Sequence, residues 1–193
     1  MPAPARRTLL GAGAALLGLV LAGCGQHTVS VSATQGVDRA ALDASVEAAL
    51  ATLYRTQPGA RRLGDRAKAV LVFPRIVQAG LGVGGFYGDG AMREGGRTTG
   101  YYNIAGGTFG FQVGAQTLAQ AYFFNTDEAL GTFRETKGFV VGAGVTVTAA
   151  DFGVSGEVSS ATLQKPLVVV TWGQSGLMAG AMLEGAKITR IEP

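Results

Sequence analysis

Glycine is the residue that most constrains how this chain can fold, because it is concentrated in one segment. Of the 31 glycines in the 193-residue chain, 13 lie between Gly80 and Gly114. They have no three-residue period and the chain has 6 prolines, which excludes a collagen-like helix. Glycine at alternate positions of a strand leaves one face bare, so another layer can approach closely. We therefore predict bent antiparallel strands in this segment.

Further strand and turn patterns flank this segment. Residues 69–73 form an uninterrupted apolar run that Pro74 closes, which is typical of a strand buried on both faces. Residues 107–117 alternate apolar side chains with glycine and glutamine, the period of a strand. Asp89-Gly90 and Glu94-Gly95-Gly96 are turn sequences. The other predicted strands are residues 140–149, 167–172, 176–183 and 187–191.

Helical patterns precede and interrupt these strands. Apolar residues recur every three to five positions over residues 38–55, with Asp38 as the N-cap and Gln57-Pro58-Gly59 as the end. Residues 60–67 and 126–133 are predicted as shorter helices. We therefore predict one α+β domain over residues 37–193, dominated by bent antiparallel strands in a barrel-like or sandwich-like arrangement. It has an N-terminal helical segment and one short internal helix.

Residues 1–23 have the pattern of an export signal. Two arginines precede an uncharged run over residues 9–22, which is short of the roughly 20 residues that a membrane-spanning helix needs. Leu21-Ala22-Gly23-Cys24 resembles the bacterial lipobox, so we expect Cys24 to be diacylated and to become the mature N-terminus. Residues 24–36 then form a polar tether. Gly25 follows the cysteine, at the position where inner-membrane lipoproteins usually have Asp. We therefore expect the protein to be anchored at the periplasmic face of the outer membrane.

Composition argues against an enzyme. The chain has one cysteine and one histidine, His27, which lies in the predicted tether, so cysteine–histidine and serine–histidine catalysis lack a base. Residues 80–85 match the letters of a dinucleotide-binding loop, but a strand and a turn follow instead of a helix. We therefore expect neither a cofactor nor a metal site. Unpaired carboxylates in predicted turns leave a weak hydrolase open as a minor alternative: Asp89, Glu94, Asp151 and Glu157.

The charges are unevenly distributed. Residues 55–75 contain six cations against one carboxylate, Asp65, for a net charge of +5, whereas the rest of the mature chain has a net charge of −4. We name these six cations the basic edge: Arg55, Arg61, Arg62, Arg66, Lys68 and Arg75. Each contributes about 1 kcal/mol near an anionic membrane. The basic edge is therefore the predicted binding surface for anionic phospholipid, and a merely solvated helix surface is the alternative. Nothing in the sequence supports nucleic-acid binding.

Several blocks of the sequence resemble the SYLF domain family. They occur in the family's order within residues 60–192, with Thr108 where the family usually has Ser: residues 69–74, 80–90, 100–103, 110–116 and 176–188. The resemblance implies a phosphoinositide-binding module whose lipid contact is an N-terminal amphipathic helix with basic residues, and some members bind actin. Its bacterial relatives look like exported lipoproteins.

For an exported protein, the resemblance narrows the expected ligand to anionic phospholipid such as phosphatidylglycerol or cardiolipin, since a periplasm holds neither actin nor phosphoinositides. The other hypothesis is a non-enzymatic structural protein of the cell envelope. In that case its glycine-rich sheet docks a protein or peptidoglycan partner.

Overall fold

The computed structural model describes residues 38–141, 147–149, 158–176 and 185–192, with the backbone alone for 108–113, 147–149 and 175–176. The predicted leader, Cys24 and the tether lie outside the described residues. So do Asp151, Glu157 and most of the strand that we predicted over residues 176–183.

A long antiparallel hairpin dominates the fold. Strand β1 spans Ala69–Glu94 and strand β2 spans Arg97–Phe124. Gly95 and Gly96 connect them with φ values of +52° and +81°, a backbone conformation that glycine adopts without strain. The turn predicted at Glu94-Gly95-Gly96 is therefore confirmed.

Two predicted interruptions of β1 are wrong. Asp89-Gly90 lies inside the strand, paired with Asn103 and Tyr102, because a glycine there serves close packing and not a turn. Pro74 also does not end the strand, which continues after a register shift between Phe73 and Ile76. Such an irregularity accommodates proline, which has no N–H to donate to a neighbouring strand.

Strand β2 is the centre of the sheet. Among the described residues the sheet has six strands, in the order β3-β6-β2-β5-β4, with β1 also on β2. The four shorter strands are β3 (Phe139–Val140), β4 (Val147–Ala149), β5 (Leu167–Gly176) and β6 (Lys187–Ile191). Because β2 is 28 residues long, β5 pairs with one half of it and β6 with the other. The β4–β5 pair is parallel, a departure from the antiparallel pattern that we expected.

The sheet curls into a half-barrel, and glycine permits the curl. A Cβ atom at Gly90 would lie 2.3 Å from the carbonyl oxygen of Val72, and one at Gly88 would lie 2.7 Å from that of Arg75. Both contacts join the second half of β1 to its first half. Glycine thus permits a close approach at these two positions, but within one strand and not from the other layer or neighbouring strand that we predicted.

All three predicted helices form, with bounds close to those expected. Helix α1 spans Arg39–Thr56, and the Asp38 carboxylate accepts hydrogen bonds from the backbone of Ala40 and Ala41 at 3.0 and 3.2 Å. Helix α2 spans Pro58–Arg66 and begins two residues before our prediction, since proline suits the first position of a helix. The predicted internal helix is α3 (Asp127–Glu135). A four-residue helix, α4 (Ser160–Leu163), was not predicted.

Helices cover both faces of the sheet. Side chains alternate between the faces along β1, so Val70 and Val72 pack with Leu53 and Leu63 of α1 and α2, while their neighbours pack towards α3. On the α3 side, the ring of Phe133 lies 5.0–5.2 Å from three other aromatic rings: Tyr102, Phe124 and Phe139. The predicted α+β class is confirmed, and the basic edge belongs to the α1–α2 side.

Candidate functional site

Helix α2 carries the centre of the basic edge. Its buried side consists of Gly59, Ala60 and Leu63, so Arg61, Arg62 and Arg66 point to solvent. Arg66 lies in the last turn, where the helix dipole favours a cation. Three guanidinium groups are thus displayed on one nine-residue helix.

The C-terminal turn of α1 packs beside these arginines. The guanidinium carbon of Arg61 lies 5.6 Å from the centre of the Tyr54 ring, within the range of a cation–π contact. Burial raises the pKa of Tyr54, Asp65 raises it further, and Arg61 opposes both. Arg55 donates a hydrogen bond to the Thr52 hydroxyl at 3.4 Å. The basic edge is therefore partly ordered by its own helices.

The structure separates the last two cations of the basic edge. The Lys68 ammonium forms an ion pair with Asp127, at the start of α3, with an N–O distance of 3.2 Å. Arg75 lies seven residues further on, roughly 20 Å along the strand. All six side chains are exposed, but Lys68 is neutralised by its partner and Arg75 belongs to a different surface.

Arg75 lines a groove between α1 and the sheet. The groove has a volume of about 900 Å³, and its walls include Ala48 and Thr52 of α1, Tyr87 of β1 and Trp172 of β5. Thr52 therefore faces the groove and also accepts the hydrogen bond of Arg55. The groove was not predicted, because its walls come from segments more than 100 residues apart. Trp172, at the end of the strand predicted over residues 167–172, is half-buried.

A carboxylate is fixed at the floor of this groove. Asp89 accepts hydrogen bonds from the Tyr87 hydroxyl at 2.9 Å and from the Asn103 amide at 3.3 Å. Burial raises the pKa of Tyr87, and the hydrogen bond to Asp89 adds to this. Asp89 therefore has local partners, and the part of the chain that the structure describes holds no cluster of three potential metal ligands around it or elsewhere.

Helix α1 is attached to the sheet along its length. Its apolar side chains Val46 and Leu53 are fully buried in the core. On its polar side, Asp43 accepts hydrogen bonds from Thr98 and Tyr101 at 2.9 and 3.2 Å, and Glu47 forms an ion pair with Arg93. The SYLF resemblance implied an amphipathic helix that contacts lipid here, but in this structure the apolar side of α1 faces the protein core.

No helix in the described ranges is both long enough and apolar enough to cross a bilayer.

The fold and the basic edge together define an α+β domain, built on a curled hairpin with a cationic helical edge. Residues 105–192 match the family model described as Ysc84, Las17-binding protein actin regulator. Ysc84 is the SYLF domain, so this match, over 88 of the 193 residues, agrees with the SYLF resemblance of the sequence. The SYLF family is associated with lipid or protein binding in general. A search of curated proteins found no match.

Proposed function

We propose that the chain is an exported lipoprotein, anchored through acylated Cys24, whose SYLF domain binds anionic phospholipid through the basic edge. The domain acts as a non-enzymatic binding module at the periplasmic face of the bacterial outer membrane. The observation that carries the proposal is the display of Arg61, Arg62 and Arg66 on the exposed side of α2. The family match supports a lipid-related role in general terms.

Charge, and not insertion of a helix, is the expected source of this binding. The apolar side chains of α1 and α2 are buried in the core, so inserting either helix into a bilayer would cost the packing of Leu53 or Leu63. Exposed arginines can meet phosphate groups without loss of this core packing, and guanidinium binds phosphate in a bidentate manner. The binding is therefore expected to weaken as salt concentration rises.

Vesicle flotation tests the proposal. Both core clusters consist of residues between Leu42 and Ile188, so residues 25–193 retain the described core and can be used without the leader. Wild-type protein is expected to float with vesicles that contain phosphatidylglycerol and not with pure phosphatidylcholine. The double variant Arg62→Glu/Arg66→Glu loses at least about 2 kcal/mol of attraction, roughly a thirtyfold loss of binding.

The matched control carries the same change of charge elsewhere. Arg97 and Lys165 are exposed and lie outside the basic edge, so Arg97→Glu/Lys165→Glu is expected to retain most of the binding. Circular dichroism checks that each variant is folded. Equal flotation with neutral vesicles, or equal loss in the two double variants, would rule out the basic edge as the lipid-binding surface.

One observation favours the alternative of a docking protein. Leu81 and Val83 of β1 are 77% and 64% exposed, and Val77 and Tyr87 on the same strand are also exposed. An exposed apolar row of this kind is typical of a protein interface. A photocrosslinking amino acid at position 81 tests this alternative in cells. One discrete adduct, which does not form when the same amino acid replaces exposed Glu135, would favour a docking protein.

A further inference from the structure

A second cluster of cations lies on the opposite side of the sheet from α1 and α2. The C-terminal turn of α3, the loop that follows it and β6 surround a cleft of about 680 Å³. Four basic side chains line this cleft: Arg134, Lys137, Lys187 and Arg190. We name it the α3–β6 cleft. None of its cations belongs to the basic edge.

The backbone explains why these cations meet. In the sheet, Lys187 pairs with Ala105 and Val140, and Arg190 pairs with Tyr102, so β6 lies between β2 and the segment after α3. Gly138 follows α3 with a φ of +83°, and a Cβ atom there would lie 2.4 Å from Cε of Lys187. The absence of a side chain at Gly138 thus makes room for the Lys187 stem.

The charge of the cleft is only partly compensated. Arg134 forms an ion pair with Glu94, which also accepts a 2.6 Å hydrogen bond from the Thr99 hydroxyl. Partial burial raises the pKa of Glu94, but these hydrogen bonds and the charge of Arg134 outweigh it and lower the pKa. Within the described ranges, no carboxylate lies at ion-pair distance from Lys137, Lys187 or Arg190.

The floor of the cleft is apolar and carries one buried hydroxyl-bearing ring. Phe133 and Ile188 are buried beneath the cations, and Tyr102 is 7% exposed. Burial raises the pKa of Tyr102, while the charges of Arg190 and Arg134 act in the opposite direction, which places both guanidinium groups within electrostatic reach of its hydroxyl. The cleft therefore combines cations, hydroxyls and an apolar floor.

From this arrangement we propose that the α3–β6 cleft binds a phosphate ester, with the phosphate held by Lys187, Arg190 and Lys137 and the organic group against Phe133 and Ile188. Exposed cations favour a phosphate because charge-assisted hydrogen bonds to it are stronger than neutral ones. The volume lies in the range of small-molecule sites and exceeds what a bare phosphate fills. The ester is either a soluble metabolite or a phospholipid headgroup.

Isothermal titration calorimetry of the full chain in neutral detergent tests the proposal. The probes are pyrophosphate and glycerophosphoglycerol, the deacylated headgroup of phosphatidylglycerol. Saturable 1:1 binding of at least one probe is expected. The double variant Lys187→Met/Arg190→Gln, in which methionine preserves the stem over Gly138, is expected to bind about tenfold more weakly or worse.

The control variant removes two charges that belong neither to the cleft nor to the basic edge. Arg97→Gln/Lys165→Gln is expected to bind both probes like wild type, and its thermal unfolding and that of the cleft variant verify that both are folded. Tighter binding of glycerophosphoglycerol supports a headgroup ligand, and tighter binding of pyrophosphate supports a soluble phosphate. Absence of saturable binding, or equal loss in the two variants, would overturn the proposed cleft site without affecting the vesicle experiment.

Discussion

Replacing Gly90 by alanine tests whether glycine is required for the curl of β1. The new Cβ atom would lie 2.3 Å from the carbonyl oxygen of Val72 and 2.6 Å from Cδ1 of Phe73. Ordinary contacts between such atoms are about 3.5 Å or longer, so one half of the strand must move by about 1 Å. Val72 and Phe73 are fully buried, and neither can move into solvent.

The expected cost follows from these contacts. Overpacking in a core destabilises by about 1–3 kcal/mol, and a contact with backbone belongs at the upper end because no side-chain rotation relieves it. Alanine regains about 0.4–1 kcal/mol by restricting the unfolded chain. The net loss in the free energy of unfolding is therefore about 2 kcal/mol, or a melting temperature lower by about 4–8 °C for a domain of this size.

Urea unfolding followed by circular dichroism measures this loss on residues 25–193. Gly107→Ala is the matched control, since Gly107 lies in the same sheet but its Cβ atom would be 3.9 Å from its nearest neighbour among the described residues, the carbonyl oxygen of Gly84. We expect it to change stability by less than about 0.5 kcal/mol. If Gly90→Ala were as stable as Gly107→Ala, the close approach would not limit the choice of residue and our account of the curl would be refuted.

Two further predictions concern Glu94 and Cys24. Glu94→Gln removes the ion pair with Arg134 and is expected to cost up to about 1 kcal/mol at pH 7, as for other surface pairs. The fold lowers the pKa of Glu94, so the ion pair contributes its full stabilisation at a pH above 4.5, the ordinary pKa of the carboxyl group. This stabilisation is lost as the pH falls through the lower pKa of Glu94 in the folded protein. Urea unfolding should therefore show a difference in stability between wild type and Glu94→Gln at pH 7 that disappears in strong acid. A difference that persists unchanged in acid would contradict this role of the ion pair. Cys24→Ser is expected to prevent acylation, and mass spectrometry of the membrane fraction measures this. If the variant protein stayed in the membrane fraction at the mass of the wild-type mature protein, the lipid anchor at Cys24 would be contradicted.

Local signals in the sequence predicted the helices well. Asp38 and Thr126 cap α1 and α3 through hydrogen bonds to backbone N–H groups two or three residues away, so the information lies within one turn. The sequence also predicted the cluster of charges around α2, since its cations are close neighbours in the chain. Its exposure followed from the helix period, which turns Leu63 inward and the arginines outward.

Contacts between distant segments escaped prediction. Turn chemistry suggested a break at Asp89-Gly90, but those residues continue β1, since the role of Gly90 depends on Val72 in the same curled strand. The ion pair of Lys68 with Asp127 was not foreseen either, although it removes one cation from the basic edge. Both depend on which segments the sheet brings together, and no local pattern contains that information.

The sequence by itself determined the α+β class, the resemblance to the SYLF family and the basic character of α2, because helix caps, glycine density and ordered sequence blocks are properties of neighbouring residues. Only the tertiary structure decided how these parts are used. It buried the apolar side of α1, and it joined Arg134 and Lys137 to Lys187 and Arg190 in one cleft. The physical reason is that strand register and curl are set by packing across the whole sheet, which pairs residues 47 and 49 positions apart in β3 and β6.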